Sequence, residues 1–194
     1  MSALPKEKKY TPEEYLALEE KADYKSEYVD GYIFKMAGGS LNHIEITFNM
    51  AKAIDREVRG KCRTFPSEMK VYIKAINKFY YPDVTVVCGK PNFFQERKDT
   101  VTNPKLLVEV LSNSTEAKDR GEKFFAYQTL ETLDEYVLIS QDKYLVETFT
   151  KQTDGSWRYL STIGLNSKVY FESVNAEILL KDIYDLVEFE ENSG

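Results

Sequence analysis

The chain has 194 residues, 42% of them apolar, a formal charge of −6 and a single histidine. That is enough apolar material for one domain with a full core. The lone His43 argues against triad hydrolases and against histidine-based metal sites, so catalysis is expected to rest on carboxylates, lysines and an oxygen-loving metal. The charge is uneven: residues 1–130 hold 21 Lys+Arg and 19 Asp+Glu, net +2, and residues 131–194 hold 5 and 13, net −8. A DNA-binding face on the first two thirds is therefore allowed, though ordinary solvated charge explains the balance equally well.

No stretch approaches a membrane span, and the opening "MSALPKEKKYTPEE" has no apolar core behind its charges, so no membrane contact is expected and a cytoplasmic location is. Cys62 and Cys88 lie far apart and outside any metal-ligand spacing; neither a disulfide nor a zinc site is expected, which fits a reducing compartment.

In chain order, "YTPEEYLALEE" carries a helix start, with Thr11 as N-cap, Pro12 at the first position and Glu14 completing a capping box. Asp30-Gly31 between two strand-like runs marks a hairpin. Ile44, Phe48, Ala51, Ile54 and Val58 recur at helical steps, which predicts an amphipathic helix from Asn42 to just before Gly60. Strands are expected in "EMKVYIK", in "FYYPDVTVVC" and, after a polar loop, in "KLLVEVLS", with a turn near Asn77. A long helix is expected from Thr115 to Leu130, then a strand in "EYVLIS". A hairpin about Asp154-Gly155 follows, and "SVNAEILLKDIYDLV" supplies a short strand or helix. This order predicts an α/β (α+β) fold: a mixed sheet covered by helices, in a single domain over 1–194 with loose tails at 1–9 and 189–194.

Two acids interrupt the apolar strands. Alternation puts Asp83 on one face with Thr85 and Val87, and Glu109 on one face with Leu107 and Leu111. A carboxylate desolvated this way must be paired, hydrogen-bonded or bound to a cation. If neighbouring strands bring the two together, a divalent ion between them relieves the repulsion, and oxygen ligands select Mg²⁺ or Mn²⁺. The ordinary alternative is that each acid sits at a strand end in water or pairs with a lysine.

Lys123, Tyr127 and Leu130 share one stripe of the second helix, so Lys123 should face the sheet and could reach the slot beside Glu109 taken by Leu111. Gly121 would permit close helix-to-sheet approach or mark a kink, and Asp119 would position Lys123 or form a surface pair with it.

Pro82-Asp83 followed by Glu109 at the end of a strand resembles the PD-(D/E)XK nucleases, with Leu111 standing where the lysine is usual. Taken together, "YLALEEKADYKSEYVDGYIFKMAGGSLNHIEITFNM", "YYPDVTVV", "PKLLVEVLSNST", "DRGEKFFAY" and "LDEYVLIS" resemble the bacterial putative restriction endonucleases of the Uma two family, over roughly residues 10–187. The resemblance implies a restriction-endonuclease-like core, helix-strand-strand-strand-helix-strand, with flanking hairpins. It implies Asp83 and Glu109 as metal ligands, joined by the carbonyl of Val110, and Lys123 as a lysine relocated from strand to helix.

The same resemblance points to Glu27, as a third acid or as a residue fixing its hairpin, and to His43, as a helix-start residue or a contact to water or phosphate. Glu68 is a weaker candidate. The implied activity is Mg²⁺-dependent (or Mn²⁺-dependent) hydrolysis of DNA by a homodimer, with no organic cofactor. A nuclease fold without catalysis, serving as a DNA-binding or protein-interaction module, is the alternative. A two-carboxylate glycosidase is the remote one, with Trp157 the only tryptophan to line a sugar cleft.

Overall fold

The computed structural model describes residues 8–189. In chain order they form α1 (Pro12–Glu19), β1 (Ser26–Val29), β2 (Tyr32–Lys35), α2 (Leu41–Val58), β3 (Cys62–Pro66), β4 (Lys70–Ile73) and β5 (Lys78–Tyr80). There follow β6 (Val84–Cys88), β7 (Phe93–Phe94), β8 (Arg97–Val101), β9 (Leu106–Leu111), α3 (Glu116–Lys118), a π-helical turn (Asp119–Lys123) and α4 (Phe124–Tyr127). The remainder is β10 (Glu135–Ser140), β11 (Leu145–Lys151), β12 (Trp157–Ile163), β13 (Lys168–Phe171), β14 (Ala176–Leu179) and α5 (Leu180–Ile183). None of the helices in the described residues is long and apolar enough to cross a membrane. Residues 1–7 and 190–194 of the expected tails lie outside the described residues; Phe189 packs on Tyr144 and Tyr184.

The expected mixed α+β architecture is present, but the strands divide between two six-stranded sheets, ordered β2-β1-β5-β4-β8-β7 and β12-β11-β10-β9-β6-β3, with β13-β14 as a separate ribbon. "FYYPDVTVVC" is the point of division. Pro82 has no N–H to give to a ladder, so the run breaks into β5 in the first sheet and β6 in the second, joined by Tyr81-Pro82-Asp83. In the second sheet β9 runs antiparallel to β6 and parallel to β10.

One face of that sheet, with Val84, Val86, Val108, Val110, Val137 and Ile139, packs on α2, α5 and the ribbon. The other face, with Val87, Leu107, Leu111 and Leu138, packs on Tyr127, Leu130 and Leu133 and on Val71, Ile73 and Tyr80 of the first sheet. Glu109 therefore projects between the two sheets, on the side that alternation assigns to it.

The α1 capping box forms as expected, the Glu14 N–H donating to Thr11 Oγ1 and the Thr11 N–H to Glu14. Asp30 and Gly31 both have positive φ, +53° and +94°, as a two-residue turn matched to strand twist requires. On α2 the expected stripe is only half right: the buried apolar residues are Ile46, Met50, Ala53, Ile54 and Val58, while Ile44 and Phe48 are exposed. The first turns carry apolar residues on opposite sides, and periodicity alone cannot choose between them.

Three further expectations are corrected. The helix expected over 115–130 is helical without a break over 116–127, but it ends earlier and its middle, Asp119–Lys123, is a π-helical turn rather than α-helix. Gly121 lies in that turn and permits no close approach, since a Cβ there would meet nothing within 4 Å. Cys62 and Cys88 are joined in a disulfide. They are 26 residues apart in sequence, yet the antiparallel register of β3 and β6 sets them directly opposite each other.

Candidate active site

Lys123 is the centre of the site. It ends the π-helical turn, is 6% exposed, and its Nζ lies 3.0 Å from Glu109 Oε1, 3.1 Å from Asp119 Oδ1 and 3.2 Å from Glu27 Oε1. Glu109 comes from β9, Glu27 from β1 of the other sheet and Asp119 from the start of the turn. Glu109 Oε1 also accepts the Tyr127 hydroxyl at 2.8 Å, and Glu27 Oε2 accepts Lys118 Nζ at 2.6 Å.

Asp83 stands beside this cluster at the sheet crossover. Its Oδ2 accepts the Val110 N–H at 2.7 Å, and its Oδ1 lies 3.0 Å from His43 Nε2. His43 is placed from α2, its own N–H donating to Ser40 Oγ at the helix start. All of these residues except Tyr127 line one cavity of about 320 Å³, with Phe34, Met36–Ser40, Ser112, Ser114, Thr115 and Gln141 at its walls.

Electrostatics explain the protonation. Burial works against charge on Lys123, but Glu109, Glu27 and Asp119 outweigh it and hold the ammonium well above its ordinary pKa. Burial drives Glu109 well above the carboxylate range, Lys123 opposing and Asp119, Asp83 and Glu27 adding to the rise. Burial also raises the Tyr127 phenol, which therefore keeps its proton and donates it to Glu109. At His43 burial lowers the pKa, but the hydrogen bond and charge of Asp83 prevail and the net direction is upward.

The sequence model of the family described as "Uma2: Putative restriction endonuclease" matches residues 12–176. The chain belongs to this family. An uncharacterized protein of Synechocystis sp. is 38% identical over 162 residues, covering 83% of this chain and 92% of that protein. A second one from the same organism is 39% identical over 156 residues, covering 79% and 80%. The fold is also that of the crystal structure of a putative nuclease belonging to DUF820 from Anabaena variabilis, with a TM-score of 0.73 and 18% identity over 90% of this chain and 97% of that one. A Uma2 chain with this fold is a nuclease-type protein.

Within this Uma2 chain the structure thus brings together Asp83, Glu109, Lys123, Glu27, His43 and Asp119. Glu68 stays apart: its side chain is 77% exposed and pairs with Lys25. Trp157 packs against Phe124, away from the site. Lys70 and Lys78, which bracket "VYIKAIN", are buried against Asp99 and Tyr81 and against Asp30 and Glu122, and neither reaches the cavity.

Sequence reasoning missed Tyr127 as a site residue, because a tyrosine on an apolar stripe reads as core. It missed Lys118, whose partner Glu27 is 91 positions away.

Four acidic side chains, Glu27, Asp83, Glu109 and Asp119, gather around the ammonium groups of Lys123 and Lys118, so acids outnumber ammonium groups even with the neutral form of Glu109 favoured by burial. Glu27 Oε1 and Asp119 Oδ1 are buried without a well-directed hydrogen bond. Hard oxygen donors in charge excess suit a divalent cation such as Mg²⁺. Among the described residues no three His, Cys, Asp or Glu side chains converge closely enough to hold one. Two carboxylates supplemented by backbone carbonyl and water are what the donor set can offer.

Proposed function

We propose that this protein is a metal-dependent endodeoxyribonuclease that hydrolyses phosphodiester bonds. The observation that carries the reading is the buried Lys123 beside Glu109 and Asp83 at the meeting of two sheets, in a chain of the Uma2 family. Asp83, Glu109 and the carbonyl of Val110 would hold Mg²⁺ or Mn²⁺. Bound there, the ion supplies Lewis-acid stabilisation to the phosphoryl oxygens.

The chain's own residues do the rest. Lys123 directs an ammonium at the cavity and offsets negative charge as it builds on phosphorus. Tyr127 fixes one oxygen of Glu109 and leaves the other without a protein hydrogen bond among the described residues. His43 and the Val110 N–H hold the Asp83 carboxylate in one orientation. Glu27 and Asp119 keep Lys123 charged and in place. DNA is the proposed partner, and a homodimer would let both strands be cut.

The test is nicking of supercoiled plasmid with Mg²⁺ or Mn²⁺ by the wild type and by Asp83→Asn, Glu109→Gln and Lys123→Met, each checked for folding by circular dichroism. Loss of one charge-stabilising donor is expected to slow cleavage on the order of 10²–10³-fold. Variants that cut as fast as the wild type would refute the assignment. The second reading is a binding module without catalysis. It is favoured by Leu111 standing where the strand lysine is usual and by the formal charge of −6, and it predicts DNA binding with no nicking at all.

A further inference from the structure

The cavity is narrow for a nucleic-acid site. At about 320 Å³ it is at the small end of ligand pockets, roughly 300–1,000 Å³, and its acids and Lys123 are at most 8% exposed. Its roof is the segment Met36–Ser40, tied at one end by the Met36 N–H to the Lys25 carbonyl and at the other by the Ser40 hydroxyl to Gln141. A phosphate in an intact duplex is flanked by its own stacked base pairs and reaches residues this deep less readily than that of an unpaired nucleotide.

Phe34 stands at the mouth. In the β1–β2 hairpin it is the direct cross-strand partner of Glu27, so its ring is on the same face as that carboxylate. It lines the cavity and is 48% exposed, so ring surface is open to a ligand at the mouth. Lys118 Nζ lies over the ring at 5.4 Å, and Lys35 follows Phe34 on the rim. An exposed aromatic ring beside the Lys118 ammonium, at the entrance to the cavity, is the combination by which proteins hold unpaired nucleotides.

We infer that the site takes an unpaired strand, and that Phe34 is the platform on which the base next to the reacting phosphate stacks. This deepens the nuclease reading by naming its substrate class, and rests on it for the chemistry but not for the binding.

The experiment measures binding and cleavage separately. Fluorescence anisotropy without added metal compares a labelled oligothymidylate with a blunt hairpin duplex, for the wild type, Phe34→Ala, Phe34→Leu and Phe34→Trp. Because Phe34 is half exposed, these variants are expected to fold. The single strand should bind at least tenfold tighter than the duplex. Phe34→Ala and Phe34→Leu should each lose about tenfold on the single strand, as for one stacked base, and Phe34→Trp should retain binding.

Equal affinity for the two DNAs, or equal binding by all four proteins, overturns the inference. Cleavage of the same DNAs with Mg²⁺ or Mn²⁺ separates the two readings. Phe34-dependent single-strand binding with no cutting upholds the platform and refutes hydrolysis. Cutting of blunt duplex as fast as single strand upholds hydrolysis and refutes the platform.

Discussion

At Gly39 the missing side chain is what lets the His43 ring reach Asp83. A Cβ there would meet His43 Cδ2 at 2.8 Å, closer than real Cβ contacts allow, whereas one at the neighbouring Gly38 would meet nothing within 4 Å. Gly39→Ala is therefore expected to push the imidazole off Asp83 and slow plasmid nicking about tenfold, as a residue holding a reacting group from behind would. Gly38→Ala should leave the rate unchanged; equal rates for both variants would remove His43 from the positioning of Asp83.

The residues of the site were visible in the sequence to different degrees, and for physical reasons. Asp83 and Glu109 stood out because a charge in a Val-rich strand needs an explanation. Lys123 did so because it broke an apolar stripe. Glu27 and His43 owed their notice to family resemblance alone, since a hairpin acid and a helix-start histidine are ordinary until the two sheets close on each other.

Among the elements, the π-helical turn does most to aim the charges. Its wider turn sends Arg120 outward to Glu147 on β11 and Glu122 to Lys78 and Tyr80, while Asp119 and Lys123 point into the cavity. Such turns hold one residue more than the α-helix and are frequent at functional sites. Deleting Gly121 should restore α-helical spacing and place Lys123 three residues after Asp119 instead of four, re-aiming its ammonium within the cavity, with nicking reduced at least tenfold.

Gly121→Ala, by contrast, enters open space at an ordinary backbone conformation and should raise stability by about 0.5–1 kcal/mol in urea unfolding. No periodicity count shows a π-turn in advance, because one inserted residue shifts a stripe without erasing it. The β3–β6 edge escaped notice similarly, since register decides which cysteines meet. Cys62→Ser with Cys88→Ser should lower stability by about 2–4 kcal/mol. Adding dithiothreitol should cost the wild type a similar amount and the double variant nothing.

For the whole molecule, the mixed α+β architecture was legible and its division into two sheets was not. The strand runs, hairpin turns and α1 cap are local signals, and apart from the run that Pro82 divides each formed where the residues placed it. Sheet membership is a long-range property, and only Pro82 hinted that one apolar run would serve two sheets. The two-sheet arrangement also sets what holds the centre together. Glu27 belongs to one sheet, Glu109 to the other and Asp119 to the helical turn between, and all three close on Lys123.

Lys123→Met would leave those acids facing one another, and breaking a buried ion pair costs about 3–5 kcal/mol. Thermal unfolding should show a lower midpoint for this variant, partly restored by millimolar Mg²⁺, while EDTA should leave the wild type almost unmoved. A wild type that melts sharply on chelation would contradict this. The lysine is in effect a built-in counter-ion: the protein folds around its own positive charge, and on the proposed reading a metal is recruited only afterwards.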